Sequence, residues 1–261
     1  MLLENKNAVV YGAAGAVGSA VARAFAREGA HVFLAGRTAS TLEALAGEIR
    51  AAGGNADFVV VDALDEQSVE SFVSSVAQRA GSIDISFNAI GLEDDQGLPL
   101  IEMTQQRFVL PVNIALTSHF YTANAATRHM AKNRSGVIMA ITANAARTAQ
   151  ANMGGFGVAC AAIEGFCRQL AAEVGRHGIR VVCLRSSGSP DAPGVSEVLN
   201  QHAANAGISR QEFETRFAAS TLLKRLPLLA EVANVAVLMA SDLASPITGA
   251  VANVTCGELV D

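Results

Sequence analysis

The first 30 residues constrain the fold more than any other segment. Residues 7–11 form a short apolar run, a glycine-rich turn follows, and an amphipathic pattern then continues to residue 28. A strand, a tight turn and a helix in this order direct the first amides of the helix at a bound phosphate group. The same alternation of β-rich and helical patterns continues to the end of the chain, which predicts an α/β fold with a parallel sheet.

Apolar runs typical of strands lie at 7–11, 31–35, 57–61, 83–88, 136–142, 180–185 and 250–255. Patterns typical of helices lie at 17–28, 41–52, 66–79, 105–131, 155–176 and 229–241. Together they predict a single Rossmann-type domain over 1–261, with a doubly wound, seven-stranded parallel sheet flanked by helices. Ser40 and Glu43 predict a capping box for the second helix, and Pro111 is expected to kink or divide the fourth.

The segment 186–223 departs from this alternation. It is a long polar insertion before the last helix, with an amphipathic piece around 210–217. Long segments of this kind in compact domains are usually lids or binding loops. We therefore expect a substrate loop or lid at 186–223, within the same domain.

Composition argues against several classes of function. Hydrophobic residues make up 51% of the 261 and charged residues only 16%, which favours burial of extra surface against copies of the same chain. The net charge of −5 and the absence of a basic run disfavour nucleic acid and anionic membranes as partners. No signal peptide, membrane-spanning run or C-x-x-C spacing is present. We expect a cytoplasmic protein without disulfides or metal that acts on a small molecule.

Three glycines form a candidate phosphate cradle. Gly12 permits the turn, Gly15 allows close approach of the backbone, and Gly18 packs the helix against the strand. Val17 lies between the last two, at the start of the predicted helix. The motif predicts a dinucleotide site, and the alternative is a tight turn that binds no ligand.

Two further residues are candidates for cofactor binding, and the first of them bears on the choice between NADP(H) and NAD(H). The second strand ends in Leu-Ala-Gly-Arg, so Arg37 stands near the place where an acidic residue would bind a ribose 2′-hydroxyl. A guanidinium there binds a 2′-phosphate, which favours NADP(H) over NAD(H); the alternative is a solvated arginine that opens the next helix. Asp62 follows the third strand, where it either accepts a hydrogen bond from adenine or caps the next helix, a role that Asp65 also suits.

In this order the motifs resemble the short-chain dehydrogenase/reductase family over essentially the whole chain. The run Asn-Ala-Ile-Gly from Asn88 to Gly91 matches the family's Asn-Asn-Ala-Gly, and 223–257 resembles its C-terminal signature. The resemblance implies that Asn88 and Gly91 border the cofactor and that Asn113 holds a water for a proton relay. It also implies a homo-oligomer, a dimer or tetramer formed through the helices at 112–131 and 156–176.

The catalytic segment departs from that family pattern. Ala143 stands in place of the family's serine, and Phe156 and Cys160 stand in place of the tyrosine and lysine of its Tyr-x-x-x-Lys motif. Phe156 has no hydroxyl, and Cys160 is expected to be a neutral thiol. Of the four catalytic residues that the resemblance implies, only Asn113 remains. Carbonyl reduction needs a hydride and a proton, and no obvious donor of the proton is present.

Ligands of open α/β sheets bind beyond the carboxyl ends of the strands, so polar residues there are candidates for a substrate pocket. These candidates, with Phe156 as a pocket wall, are Thr142, Asn144, Arg147, Arg185 and Ser187. Simpler roles are a strand end for Thr142, a local turn for Asn144, and surface or interface ion pairs for the two arginines. Asp94 and Asp95 follow the fourth strand and could also border the pocket, but solvated loop charges are the simpler expectation for them.

Two main hypotheses about function follow. One is an NADP(H)-dependent oxidoreductase with non-standard proton delivery, which transfers hydride to or from a small activated carbonyl or enone-type substrate. The other is a catalytically inactive protein that binds NADP(H) as a sensor or partner subunit. A third hypothesis, a purely structural oligomer component that binds no nucleotide, draws on Ala16 in the cradle and on the missing lysine.

Overall fold

The structure is a computed structural model that describes residues 1–260. Its strands are β1 Asn7–Tyr11, β2 His31–Gly36, β3 Asn55–Val60, β4 Ile85–Asn88, β5 Gly136–Ala143, β6 Ile179–Ser186 and β7 Ala250–Val254. They form one parallel sheet in the order β3-β2-β1-β4-β5-β6-β7. The predicted doubly wound, seven-stranded sheet is therefore confirmed, with each strand within two residues of its predicted bounds.

Eight α-helices lie in the part of the chain that the structure describes, and six of them form the cores on the two faces of the sheet. They are α1 Ala16–Arg27, α2 Ala39–Ala51, α3 Glu66–Ala80, α4 Gln105–Asn133, α5 Phe156–Val174, α6 Pro193–Asn205, α7 Arg210–Ser220 and α8 Leu229–Ala240. Buried side chains of α1, α2 and α8 form the hydrophobic core on one face. Those of α3, α4 and α5 form the core on the other face, as expected for a doubly wound sheet.

One local prediction about helices is wrong, and a second is wrong in part. Helix α2 begins at Ala39, with Thr38 as an N-cap that makes no side-chain hydrogen bond, so Ser40 and Glu43 lie inside the helix and form no capping box. Helix α4 runs unbroken through Pro111, so Pro111 does not divide it, and a kink there stays a prediction. Because Pro111 lies near the start of a 29-residue helix, its missing N–H removes one hydrogen bond while many others remain.

The segment 186–223 is more regular than its composition predicts. It contains α6 and α7, and α7 includes the amphipathic piece at 210–217. The start of α6 had a sequence signal in Pro193, since proline is favoured in the first turn of a helix. Along residues 1–260, no helix is long and apolar enough to cross a membrane.

Two glycines let α1 approach β1 and β4 closely. Gly12 has a φ of +67°, and a Cβ added there would lie 2.4 Å from the Ala89 carbonyl oxygen. A Cβ on Gly18 would lie 2.2 Å from the carbonyl oxygen of Gly12. Both contacts are with backbone atoms that cannot rotate away, so any side chain would push α1 off the sheet.

We expect Gly18→Ala to lower the free energy of unfolding by about 1–3 kcal/mol, because the added methyl group overpacks a rigid contact. Urea unfolding followed by circular dichroism measures this change. Gly47→Ala is the matched control, since a Cβ there meets no atom within 4 Å and the change should stabilise α2 by about 0.5–1 kcal/mol. Equal stability of the two variants would contradict this account of the α1–β1 contact.

Candidate active site

The turn between β1 and α1 presents free amides at the carboxyl edge of the sheet. Gly15 is the N-cap of α1, and its N–H donates to the Gly12 carbonyl at 3.0 Å. The first N–H bonded within the helix is that of Ser19, so the amides of Ala16, Val17 and Gly18 have no helical partner. Free amides and the positive end of the helix dipole together suit a pyrophosphate group.

Arg37 and Asp62 both lie at the surface beside this turn. Arg37 is exposed, directly follows β2, and forms no ion pair with any residue of 1–260. Asp62 accepts a hydrogen bond at Oδ1 from the amide of Leu64, at 3.0 Å. The cap of α3 is Asp65, whose carboxylate accepts from the amide of Gln67, so helix capping is not the role of Asp62.

Asn88 and Gly91 lie at the end of β4. The Asn88 side chain is buried, donates to Thr122 Oγ1 of α4 at 3.1 Å, and accepts from the amide of Ile90 at 3.0 Å. It thus fixes the end of β4 to α4. Gly91 is exposed, and a Cβ there would meet no atom within 4 Å. Asn113 is an exposed residue of α4 whose side chain forms no hydrogen bond within residues 1–260.

The replaced catalytic positions come together where β5 ends and α5 begins. Ala143 is the last residue of β5, half-buried Phe156 is the first of α5, and Cys160 follows one turn later. Burial raises the pKa of the Cys160 thiol to about 12, although a hydrogen bond with the backbone of Ala143 acts in the opposite direction. The thiol is therefore neutral near pH 7, and no positive charge stands at this position.

A buried ion pair lies one turn further along α5. Arg185 Nε and Nη2 donate to Glu164 Oε1 and Oε2 at 2.7 and 2.8 Å, and both side chains are almost completely buried. Thr142, the register partner of Arg185 on β5, donates to Glu164 Oε1 at 3.2 Å. Thr142 and Arg185, both pocket candidates, are therefore held in this network. Arg185 does form an ion pair, but the pair is internal and not at the surface.

Glu164 was missed by the sequence analysis, although a signal for it existed. It lies four residues after Cys160, which places the two on one face of α5. A glutamate in an alanine-rich helix is usually exposed, so its spacing alone did not single it out.

Two of the other pocket candidates, Asn144 and Ser187, are bonded to Glu258 near the C-terminus. Asn144 donates from Nδ2 to Glu258 Oε1 at 2.7 Å, and the Ser187 hydroxyl donates to Glu258 Oε2. Asn144 also accepts from the amide of Ala145 at 3.0 Å, which is the local turn weighed as its simpler role. Arg147 is exposed and has no ion pair within residues 1–260. Glu258 is a further residue that the sequence analysis missed.

The loop at 91–99, which we name the β4 loop, follows β4 in the chain. It contacts both the segment before α5 and helix α6. Asp94 accepts from Gln96 Nε2 at 2.8 Å, and Gln96 Oε1 lies 2.9 Å from His202 Nε2 of α6. Asp95 pairs with Arg107 at 2.5 Å, and its side chain is 41% exposed. Asp94 is half-buried, so the expectation of a solvated charge is wrong for it. Burial raises the pKa of Asp94 and lowers that of His202.

The cysteines form no disulfide: Cys160, Cys167 and Cys183 are buried free thiols, and Cys256 is partly exposed. Within residues 1–260, no group of three histidine, cysteine, aspartate or glutamate side chains is arranged to hold a metal ion.

Comparison with known proteins finds similar proteins over nearly the whole chain. A family model described as enoyl-(acyl carrier protein) reductase matches residues 12–258. The chain is 32% identical to the uncharacterized oxidoreductase YxbG of Bacillus subtilis (strain 168), over 95% of this chain and 88% of that protein. It is 31% identical to the short-chain reductase protein NovJ of Streptomyces niveus, over 96% of this chain and 93% of that protein.

A solved structure shows the same fold. The structure of 7α-hydroxysteroid dehydrogenase complexed with NADH and 7-oxo glycochenodeoxycholic acid matches with a TM-score of 0.86 and 26% identity, over 99% of this chain and 96% of that one. Both relatives and the family model span nearly the whole chain. This chain therefore belongs to the short-chain dehydrogenase/reductase family of oxidoreductases.

Proposed function

We propose that this chain is an NADP(H)-dependent oxidoreductase with non-standard proton delivery. It transfers hydride to or from a small activated substrate of the carbonyl or enone type. The observation that carries the proposal is the cradle, whose free amides and two glycine-only contacts are intact beside a reaction centre that has lost its tyrosine and lysine. When bound there, the nicotinamide cofactor supplies or accepts the hydride.

The residues around the cradle suit a dinucleotide. Its pyrophosphate is held by the turn residues, its adenine by Asp62, and its nicotinamide end is bordered by Asn88 and Gly91. The related 7α-hydroxysteroid dehydrogenase is complexed with NADH, which supports a nicotinamide cofactor for this chain as well. The preference for NADP(H) rests on Arg37, because an exposed guanidinium without an acidic partner can bind a 2′-phosphate.

Neither replaced residue can supply the proton. Phe156 has no ionisable group, and the Cys160 thiol, with a pKa of about 12, holds its proton too tightly to be a good acid near pH 7. General acid catalysis is worth roughly 10²–10⁴-fold, whereas orientation of the reactants is worth about 7–11 kcal/mol. Hydride transfer thus remains possible for activated substrates, since water can protonate the enolate formed by reduction of a conjugated C=C bond.

The substrate binds beyond the carboxyl ends of β5 and β6. We assign the mouth of the pocket to Phe156, Asn144, Arg147 and Ser187, and the segment 186–223 covers it as a lid. Arg185 and Thr142 support the pocket from below through Glu164 and do not touch the substrate.

We also propose a homo-oligomer in the cytoplasm. Helices α4 and α5 expose the apolar side chains of Leu116, Phe120 and Val158, which are 40%, 51% and 48% accessible in the single chain. Apolar side chains on two adjacent helices favour their burial against a second copy. The three buried free thiols suit a reducing compartment.

One alternative function is favoured by a specific observation. With Ala143, Phe156 and Cys160 in the catalytic positions, the chain would bind NADP(H) without turnover and act as a sensor or partner subunit. Binding and turnover measurements on the same preparation separate the two functions.

We expect Arg37→Ala to raise the Kd for NADPH about 10-fold to 100-fold while the Kd for NADH stays unchanged, because only NADPH has a 2′-phosphate for the guanidinium to bind. Isothermal titration calorimetry measures both constants. Arg50→Ala, which removes the same charge near the other end of α2, is the matched control and should bind both cofactors like the parent. Equal losses for NADPH and NADH in Arg37→Ala would refute the assigned preference.

We expect the parent protein to oxidise NADPH in the presence of activated enones or carbonyls and to be slow with simple ketones. The triple variant Ala143→Ser, Phe156→Tyr, Cys160→Lys should gain roughly 10²–10⁴-fold on simple ketones, because it regains a proton donor. Absorbance at 340 nm follows both reactions, and Ala143→Ser alone serves as the control. Tight NADPH binding by a parent that turns over no member of the panel would favour the inactive alternative.

A further inference from the structure

The β4 loop holds a carboxyl group that the proposed reaction leaves unused. Asp94 is half-buried, in contrast to its exposed neighbour Glu93. The loop is anchored on two sides: the amide of Gly97 donates to the Asn152 carbonyl at 2.8 Å, and Gln96 is bonded to α6. Asp94 therefore has a defined position between the start of α5 and the lid segment.

The β4 loop brings Asp94 towards the start of α5, where the replaced residue Phe156 lies. The charge of Asp94 is also the smallest of the causes that raise the pKa of the Cys160 thiol. The next residue in the loop packs against Gly154, where an added Cβ would lie 2.4 Å from the Asp95 carbonyl oxygen. Gly154 precedes Phe156 by two residues, so the loop approaches the end of α5 from which the family's tyrosine hydroxyl is missing.

The hydrogen bonds of Asp94 leave one carboxyl oxygen available. Oδ2 accepts from Gln96 Nε2, and Oδ1 has no side-chain hydrogen bond within residues 1–260. In the neutral acid, Oδ1 can therefore carry a proton that faces away from Gln96.

The groups around Asp94 shift its pKa upward. Burial is the largest cause of the raised pKa, the bond from Gln96 opposes it, and the negative charge of Asp95 adds to it. Arg107 of α4 pairs with Asp95. Burial lowers the pKa of His202, so the imidazole behind Gln96 is neutral near pH 7, as is the Cys160 thiol.

We propose that Asp94 is the general acid of this site, and that Gln96 and His202 are positioning residues that hold its carboxyl group. This inference rests on the proposed reductase function. Hydride adds to the electrophilic carbon of the substrate, which is reduced while the nicotinamide is oxidised. The electron pair of the substrate double bond takes the proton from Asp94 as the O–H bond of the acid breaks. The carboxylate left behind is reprotonated from solvent.

The test compares Asp94→Asn with Glu93→Gln, which removes a negative charge from the exposed neighbouring residue. We expect kcat of the wild type to fall as pH rises through the pKa of Asp94, because only the protonated acid donates. Asp94→Asn should lose roughly 10²–10⁴-fold in kcat together with this pH dependence, at unchanged Kd for NADPH. Glu93→Gln should keep both the rate and the pH dependence.

A second readout needs no turnover. Carbon-13 NMR of the side-chain carboxyl groups in the free protein should show one aspartate that titrates above the usual range and is absent from Asp94→Asn. Gln96→Leu should raise that pKa further, because it removes the hydrogen bond that stabilises the charged form.

The outcomes separate this inference from the proposed function. A wild type that turns over while Asp94→Asn keeps its rate and pH dependence overturns the role of Asp94 and leaves the proposed function intact. The absence of an aspartate with a raised pKa in the NMR titration also overturns it. A wild type that binds NADPH but reduces nothing overturns the proposed function, and the role of Asp94 falls with it.

Discussion

The ion pair between Glu164 and Arg185 joins β5, β6 and α5 beneath the candidate reaction centre. Both side chains are almost fully buried, so the loss of hydration is large and is offset only by good geometry. Two N–H donors of Arg185 and the hydroxyl of Thr142 satisfy the carboxylate. Loss of one partner from a buried pair costs about 3–5 kcal/mol. Cys160 lies one turn before Glu164 on the same helix.

This pair also explains how the chain accommodates the loss of a lysine. An ammonium at position 160 would lie one helical turn from Glu164, whose carboxylate already pairs with Arg185. In this chain the buried positive charge is that of Arg185 on β6, and the Glu164 carboxylate neutralises it. Without a cation at position 160, nothing would lower the pKa of a tyrosine hydroxyl at position 156. A phenylalanine and a neutral thiol are therefore physically consistent with each other and with the buried pair.

Local patterns predicted the sheet and the cradle but not the polar contacts of the site. Apolar runs and the glycine turn depend on neighbouring residues, so β1 and the start of α1 were predicted to within one residue. Glu164, Glu258 and His202 act through partners 21 to 114 residues away, and no spacing in the sequence reveals such a pairing. Asp94 was mistaken for a solvated charge because the packing of its loop against α6 depends on a helix that was itself not predicted.

The β4 loop also joins Asp94 to the segment that we propose as a lid. Gln96 bonds Asp94 with its amide nitrogen, His202 with its amide oxygen, and Gln201 with its main-chain carbonyl. His202 in turn stacks on Phe213 of α7, with ring centroids 6.2 Å apart. Movement of α6 away from the sheet would break two of the three bonds of Gln96. The contact between the β4 loop and α6 therefore bears on the position of the Gln96 side chain that holds the Asp94 carboxyl group.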